Sequence, residues 1–277
     1  MPIIGQKTLL EDFEHRVKNN HIARFIILVG TPKSGKTFIS SLLANKIVEN
    51  LLSISYIDKS VDSIRNMLDT AYKVADDVVY IIDNADSMSQ AAKNALLKVT
   101  EEPPRRAYII MVVENIKNIP ETLVSRGTVF IINPYSKEEL NEYIISSEYE
   151  WGIKEREKLL NICQNVGDVN QFFDYNLEEC YNLVETIVCK LGKMTGVESF
   201  ALSRYLKLKK DDNGFDLKFI MERVKILALN YMQDNKLHIQ VGFDIIYATT
   251  EALKKVDVRG INQLALFDSW ILELRGL

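Results

Sequence analysis

A glycine-rich segment that ends in a lysine and a threonine carries the residue types that point most directly to chemistry. It reads VGTPKSGKTF and matches G-x-x-x-x-G-K-[ST] at Gly30, Gly35, Lys36 and Thr37. Such a loop directs backbone N–H groups at a phosphate, and the helix that follows adds its positive N-terminal end. Lys36 would reach the β- and γ-phosphates of ATP, and the Thr37 hydroxyl would bind Mg²⁺. The predicted phosphate-binding loop comprises Gly30, Thr31, Pro32, Lys33, Ser34, Gly35, Lys36 and Thr37.

An aspartate at the end of an apolar run is the second candidate. The run VVYIID ends in Asp83, about 50 residues after the loop. In P-loop ATPases, a strand beside the loop ends in an aspartate that holds Mg²⁺. We therefore expect Thr37 and Asp83 to form the metal site. The next residue is Asn84, where a hydrolysing site usually has a glutamate. An amide can position water but cannot take its proton.

Short apolar runs alternate with amphipathic stretches through the first 132 residues, and these are the elements that must position the candidates. Nearly continuous apolarity in several runs predicts strands buried on both faces, as in a parallel sheet covered by helices. The segment 60–77 has one apolar helical face, and Ser60 has the side chain of an N-cap. This alternation predicts an α/β layered domain. The expected strands are 25–30, 53–57, 78–82, 107–113 and 128–132.

Helical periodicity alone follows Asn133 and Pro134. We expect three parts: an α/β domain at 1–134, a small helical domain at 135–178 and an all-α domain at 179–277. The helices expected after residue 134 are 136–147, 153–165, 168–175, 177–192, 196–208, 214–234, 240–256 and 260–275.

Composition limits the functional classes. Apolar residues make up 47% and charged residues 26% of the 277 residues, which is typical of a globular protein. The net charge of −4 does not favour an intrinsic nucleic-acid binder, so contacts to nucleic acid would come from a local patch or from partner subunits. The three cysteines lack CxxC spacing, no run is long enough to cross a membrane, and the N-terminus lacks a signal-peptide pattern. We expect a cytoplasmic location.

The residues after Asp83 resemble a known family. The string NALLKVTEEPP, Asn94 to Pro104, is similar to the corresponding string of the bacterial clamp-loader ATPases, the gamma and delta-prime subunits of DNA polymerase III, which are AAA+ proteins. The segment IIGQKTLLEDFEHRV resembles the family's N-terminal Gly-Gln segment, and IPETLVSRG resembles its Ser-Arg-Cys region. The resemblance covers positions 3 to 132; the remainder agrees in type and length.

The resemblance implies an AAA+ P-loop domain with a parallel sheet, then a small helical lid and an all-α C-terminal collar. It also implies partners: other clamp-loader subunits, a sliding clamp and primer-template DNA. In the family, collars join subunits into a ring, nucleotide binds at subunit boundaries, and the arginine of Ser-Arg-Cys points at a neighbour's γ-phosphate. Arg126 has that place here. Such a finger stabilises the charge that builds up during phosphoryl transfer.

Several positions depart from the family pattern. Lys33 stands where a glycine is usual, Asn84 replaces the glutamate, and Asn170 in GDVN has the place of a lid arginine. Gly127 replaces the cysteine of Ser-Arg-Cys, and no cysteines of a zinc module follow the loop helix. The residue that senses the γ-phosphate is Glu114 or, with a gap of one residue, Asn115.

These features predict a subunit that binds ATP and Mg²⁺, hydrolyses ATP weakly by itself and offers Arg126 to a neighbour, as the delta-prime subunit would. The candidate catalytic residues are Arg126, Asn84 and Asn115. Two alternatives stay open: a self-sufficient, homo-oligomeric clamp-loading ATPase, and a structural adaptor that binds no nucleotide.

Overall fold

Two units make up the chain in a computed structural model that describes residues 4–48, 50–211 and 215–276. The first unit is Met1–Ser136 and the second is Lys137–Leu277.

A five-stranded parallel sheet forms the centre of the first unit, as predicted. Its strand order is β2-β3-β4-β1-β5, and every neighbouring pair is parallel. All seven residues of β4 are buried, which accounts for its continuous apolarity. The strands are β1 (Phe25–Val29), β2 (Ile54–Tyr56), β3 (Val78–Ile82), β4 (Ala107–Val113) and β5 (Thr128–Ile131).

Helices cover both faces of this sheet. They are α1 (Lys7–Lys18), α2 (Lys36–Ile47), α3 (Val61–Ala71), α4 (Gln90–Glu101) and the short α5 (Glu121–Val124), and 3₁₀ turns lie at Leu51–Ser53, Ala85–Ser87 and Ile116–Asn118. Ser60 caps α3, as predicted, by accepting a hydrogen bond from the Ser63 N–H at 3.2 Å.

The alternation of side chains along β1 divides the core into two layers. Phe25 and Ile27 pack in the layer that contains Ile64 of α3 and Leu96 of α4. Ile26 and Leu28 pack in the opposite layer, with Phe13 of α1 and Leu43 of α2. Because β1, β3 and β4 are buried on both faces, their positions are set firmly, and so are the positions of the loops at their ends.

Among its described residues, the second unit has helices and connecting turns and no strand, as predicted. Helix α11 packs against α7, α9 and α12, and Trp270 of α13 is buried and donates to the Thr249 hydroxyl at 3.1 Å. The division of this unit into a lid and a collar stays a prediction. In the parts of the chain that the structure describes, no helix is both long and apolar enough to cross a membrane. The helices are α6 (Lys137–Ser146), α7 (Ile153–Ile162), α8 (Val166–Asn170), α9 (Leu177–Cys189), α10 (Gly196–Asp211), α11 (Leu217–Gln233), α12 (Ile239–Val256) and α13 (Gln263–Arg275).

Candidate nucleotide-binding site

The loop between β1 and α2 has the tight conformation that its glycines require. The Gly30 N–H donates to the Val113 carbonyl at 3.1 Å, so the loop begins beside the end of β4. A Cβ at Gly30 would lie 2.8 Å from Ser34 Oγ, which leaves no room for a side chain. Gly35 precedes α2 with a φ of 81°, a conformation that glycine adopts without steric cost.

Lys33 also has a left-handed backbone, with a φ of 64°. This is the position where the family resemblance led us to expect glycine. The lysine accepts the conformation that a glycine would take more easily, because the Cβ of an L-residue crowds the following carbonyl there. The loop therefore keeps its left-handed turn at Lys33.

Thr37 and Asp83 lie in direct contact at the carboxyl end of the sheet. The Thr37 hydroxyl donates to Asp83 Oδ2 at 2.7 Å, although the two residues are 46 positions apart in the sequence. Thr37 is in the first turn of α2, and Asp83 follows β3 directly. Carboxyl ends of parallel strands in an open α/β sheet are where such folds bind their ligands.

The oxygens of Thr37 and Asp83 suit Mg²⁺. A hydroxyl and a carboxylate are hard oxygen ligands, and Mg²⁺ is commonly held by one or two carboxylates with waters and substrate phosphates as the other ligands. Among the described residues, no group of three or more His, Cys, Asp or Glu side chains could form a protein-only metal site. The chemistry of the pair fits a metal that shares its ligands with a nucleotide.

Lys36 extends from the first residue of α2 across the loop. Its ammonium donates to the Thr31 carbonyl at 2.9 Å and lies 3.3 Å from Glu114 Oε1. The lysine side chain is only 10% exposed, whereas the glutamate side chain is 45% exposed. The ammonium thus faces the interior of the loop, and an acidic side chain from the end of β4 neutralises it.

Asn84 has a left-handed backbone, with a φ of 51°. The Asn84 N–H donates to Asp83 Oδ1 at 2.7 Å, so that both carboxylate oxygens of Asp83 accept a hydrogen bond. The Asn84 side chain is exposed. The backbone of Asn84 therefore orients the aspartate, and its side chain offers an amide to the solvent beside it.

Asp86 connects the segment after β3 with the segment after β4. Its carboxylate accepts hydrogen bonds from the N–H groups of Glu114 at 2.6 Å and Asn115 at 3.0 Å, and from the Asn118 amide at 3.3 Å. Burial acts to raise the pKa of Asp86, but these three donors stabilise the charged form and hold the pKa below its ordinary value.

Lys93 reinforces this connection from α4. Its side chain is buried, and its ammonium donates to the carbonyls of Asp86 at 3.0 Å and Asn118 at 2.8 Å. Sequence reasoning missed both Asp86 and Lys93. The available signal for Lys93 was its place on the buried face of α4, next to Ala92 and one turn before Leu96.

The structure separates the two sensor candidates. Glu114 contacts Lys36, whereas the Asn115 side chain accepts a hydrogen bond from the Lys117 N–H at 3.0 Å and caps the following 3₁₀ turn. The proposed sensing role of Asn115 stays a prediction.

Arg126 lies between α5 and β5. Its guanidinium donates to the Thr122 carbonyl at 2.7 Å and pairs with Glu101 Oε1 at 3.1 Å, and its side chain is 37% exposed. Glu101 is the first glutamate of the EEPP string. These contacts hold the arginine against α4 and α5, and its role as a finger stays a prediction.

Two further positions named in the sequence have structural partners. Gln6 accepts from the Asn133 N–H at 2.9 Å and donates to the Asn133 carbonyl at 2.8 Å, which ties the N-terminal segment to the end of β5. In the second unit, the Tyr143 hydroxyl donates to Asn170 Oδ1 at 2.6 Å.

Comparison with known proteins finds relatives over parts of the chain. The family model described as "DNA polymerase III, delta subunit" matches residues 57–136. The DNA polymerase III subunit gamma of Buchnera aphidicola subsp. Schizaphis graminum is 26% identical, over 66% of this chain and 56% of that protein. The same subunit from the Acyrthosiphon pisum subspecies is 27% identical, over 51% of this chain and 47% of that protein. The chain thus spans about half the length of these relatives. Replication factor C subunit 3 of Schizosaccharomyces pombe is 23% identical, over 96% of this chain and 79% of that protein.

Solved structures share the fold. A DNA polymerase III gamma subunit-related protein from Thermotoga maritima superposes with a TM-score of 0.57 at 18% identity, covering 97% of this chain and 99% of that one. The RuvB Holliday junction branch migration motor of the same organism gives a TM-score of 0.50 at 14% identity, covering 96% and 82%. The chain has the AAA+ fold, and its sequence is similar to the gamma subunit of DNA polymerase III and, over residues 57–136, to the family described as the delta subunit of that polymerase.

Proposed function

We propose that this chain is a clamp-loader subunit that binds ATP and Mg²⁺ in the 30–37 loop and works within an oligomeric ring to place a sliding clamp on primed DNA. Other clamp-loader subunits, the clamp and the primer-template DNA would be its partners. The names of the relatives support the replication role, since they are subunits of DNA polymerase III and of replication factor C.

One observation carries the proposal: the hydroxyl of Thr37, which is in the helix that starts with Lys36, lies 2.7 Å from Asp83 Oδ2. The loop, the lysine and the two oxygens to which we assign phosphate and metal binding thus lie at one end of the sheet. A chance match to the loop pattern would not bring the aspartate of a different strand to the threonine of the loop.

Each residue then has a defined task. Backbone N–H groups of the loop and the Lys36 ammonium would bind phosphate oxygens, and Thr37 and Asp83 would hold Mg²⁺. When bound, the metal neutralises charge on the phosphates. Asn84 would position a water through its amide but would not remove its proton, because an amide is not a base at neutral pH. We therefore expect slow hydrolysis by the isolated chain.

Arg126 would act on the neighbouring subunit's nucleotide and not on the chain's own. The pairing of its guanidinium with Glu101 leaves the side chain 37% exposed, so a phosphate on a neighbour could compete for it. An arginine supplied in this way stabilises the negative charge that builds up in phosphoryl transfer.

The test measures binding of a fluorescent adenine nucleotide and ATP hydrolysis by the purified chain, with and without primed DNA. We expect Mg²⁺-dependent binding that Lys36→Ala abolishes and that Lys18→Ala, which removes an exposed lysine of α1, leaves intact. Turnover by the chain alone on the order of several per second, an ordinary rate for an enzyme, would contradict the proposed weak hydrolysis. Co-purification with a clamp and other loader subunits tests the partners.

A nucleotide-free adaptor is the second candidate, and one contact favours it. The Lys36 ammonium is already paired with Glu114 inside the chain, so the charge that would attract phosphate is partly neutralised. Absence of nucleotide binding in the same titration, with co-purification retained, would select the adaptor over the ATP-binding subunit.

A further inference from the structure

We propose that Glu114 determines which nucleotide this site prefers: it weakens the binding of a nucleoside triphosphate relative to the diphosphate. The inference rests on the proposed function, because it assumes that the 30–37 loop binds nucleotide.

The position of Glu114 follows from the strand register. Val29 of β1 pairs with Val113 of β4, so the phosphate-binding loop and the segment that begins at Glu114 leave the sheet side by side. Glu114 Oε1 lies 3.3 Å from Lys36 Nζ. A phosphate oxygen bound to Nζ at about 2.8 Å would therefore lie no more than about 6 Å from this carboxylate oxygen.

The backbone of Glu114 is fixed. Asp86 accepts hydrogen bonds from the N–H groups of both Glu114 and Asn115, and Lys93 and Asn118 hold Asp86 in turn. The carboxylate can change rotamer, since the side chain is 45% exposed, but its Cα cannot move away from the loop without breaking these contacts.

Electrostatics then separates triphosphate from diphosphate. The terminal phosphate of a triphosphate would compete with Glu114 for the Lys36 ammonium. It would also bring a second negative charge close to the Glu114 carboxylate. A diphosphate ends one phosphate earlier and brings less charge to this position. Repulsion between two like unit charges about 5 to 6 Å apart weakens binding by a factor of about four in bulk water and about a hundred near a protein surface. We expect an effect within this range.

The experiment compares the wild-type chain with Glu114→Gln, which keeps the side-chain shape and removes the charge. Glu121→Gln is the matched control, because Glu121 is an exposed glutamate on α5 and its change alters net charge equally. Dissociation constants for ADP and for the slowly hydrolysed analogue ATPγS, each with Mg²⁺, are measured by calorimetry. Glu114→Gln should tighten ATPγS binding at least about fivefold and tighten ADP binding by a smaller factor; Glu121→Gln should change neither.

The dissociation constants of the wild type and Glu114→Gln distinguish three outcomes. If both nucleotides bind and Glu114→Gln leaves the ratio of their dissociation constants unchanged, the inference is overturned and nucleotide binding stands. If neither nucleotide binds to the wild type or the variant, the inference and the proposed nucleotide binding both fail. If ATPγS binds only to the variant, the inference is supported in its strongest form. The dependence of both dissociation constants on salt concentration is a second readout. Salt screens the repulsion between Glu114 and the terminal phosphate, so it should reduce the preference for ADP over ATPγS more in the wild type than in Glu114→Gln.

Discussion

A buried ion pair in the second unit gives a prediction whose size can be worked out. Arg223 of α11 and Asp168 of α8 pair at 2.5 Å, and their side chains are 1% and 4% exposed. Arg223 also donates to the Ile162 carbonyl at 3.0 Å. The second Asp168 oxygen accepts from the N–H groups of Gln164 at 3.0 Å and Asn165 at 3.1 Å. Burial opposes the charge on Arg223, but the Asp168 carboxylate, together with smaller contributions from Cys163 and Glu222, raises the pKa of the arginine, so the guanidinium stays charged.

The perturbation is Arg223→Met, which fills similar space without charge. Removing one partner of a buried pair typically costs about 3 to 5 kcal/mol, because the other charge stays buried and uncompensated. Two backbone donors to Asp168 remain, so we expect the lower end, a loss of about 3 kcal/mol in the free energy of unfolding. Adding Asp168→Asn should recover about 1 to 2 kcal/mol, since an uncharged amide keeps an acceptor for those donors and leaves no buried charge.

Urea unfolding followed by tryptophan fluorescence is the assay. Both tryptophans, Trp151 and Trp270, belong to the second unit, so the signal reports on the unit that contains the pair. Lys225→Met, a half-buried position two residues further along α11, is the control and should cost less than about 1 kcal/mol. The reasoning is refuted if Arg223→Met lies within about 1 kcal/mol of the wild type, or if the double variant is less stable than Arg223→Met alone.

Three further predictions concern the candidate site. Lys33→Gly should raise the free energy of unfolding by up to about 1 kcal/mol, since glycine takes the φ of 64° more easily; a loss of stability measured by far-UV circular dichroism in urea would contradict this. Asp86 has a lowered pKa in the folded chain, so its stabilising contribution is present above about pH 4 and is lost as the pH falls through the folded value. Melting temperatures should therefore fall more steeply below about pH 4 in the wild type than in Asp86→Asn, and parallel pH profiles would exclude the effect. Asn84→Glu should raise ATP turnover, measured by phosphate release, by about a hundredfold if only the base is missing, whereas Asn84→Gln should not; equal rates in the two variants would show that something else limits hydrolysis.

Much of the first unit could be predicted because its sequence signals are local. Strands buried on both faces appear as continuous apolar runs, and β4 with its seven buried residues is the clearest case. The tight turn between β1 and α2 follows from the spacing of Gly30, Gly35 and Lys36, and its binding of phosphate stays a prediction. The approach of Asp83 to Thr37 could also be anticipated, because parallel strands bring their carboxyl ends to one edge.

Contacts between loops could not be predicted, because they depend on the register of segments far apart in sequence. Lys36 and Glu114 are 78 residues apart, and a shift of one residue after β4 would have placed Asn115 at the lysine instead. The sequence left this choice open. The hydrogen bonds from the Glu114 and Asn115 N–H groups to Asp86 determine which of the two residues faces Lys36. Nothing in the residue pattern distinguishes Asp86 from any other aspartate in a turn. The pairing of Arg126 with Glu101 depends in the same way on how α4 and α5 pack.

The backbone conformation at Asn84 favours asparagine over the glutamate that a hydrolysing site usually has there. The φ of 51° at Asn84 lies in the left-handed region, and asparagine is one of the few residues besides glycine that adopts this conformation at low cost. A glutamate in the same backbone would add strain, because glutamate adopts a positive φ at a higher cost than asparagine does. Asparagine thus fits this backbone better than glutamate would, and its amide, unlike a carboxylate, cannot take a proton from water.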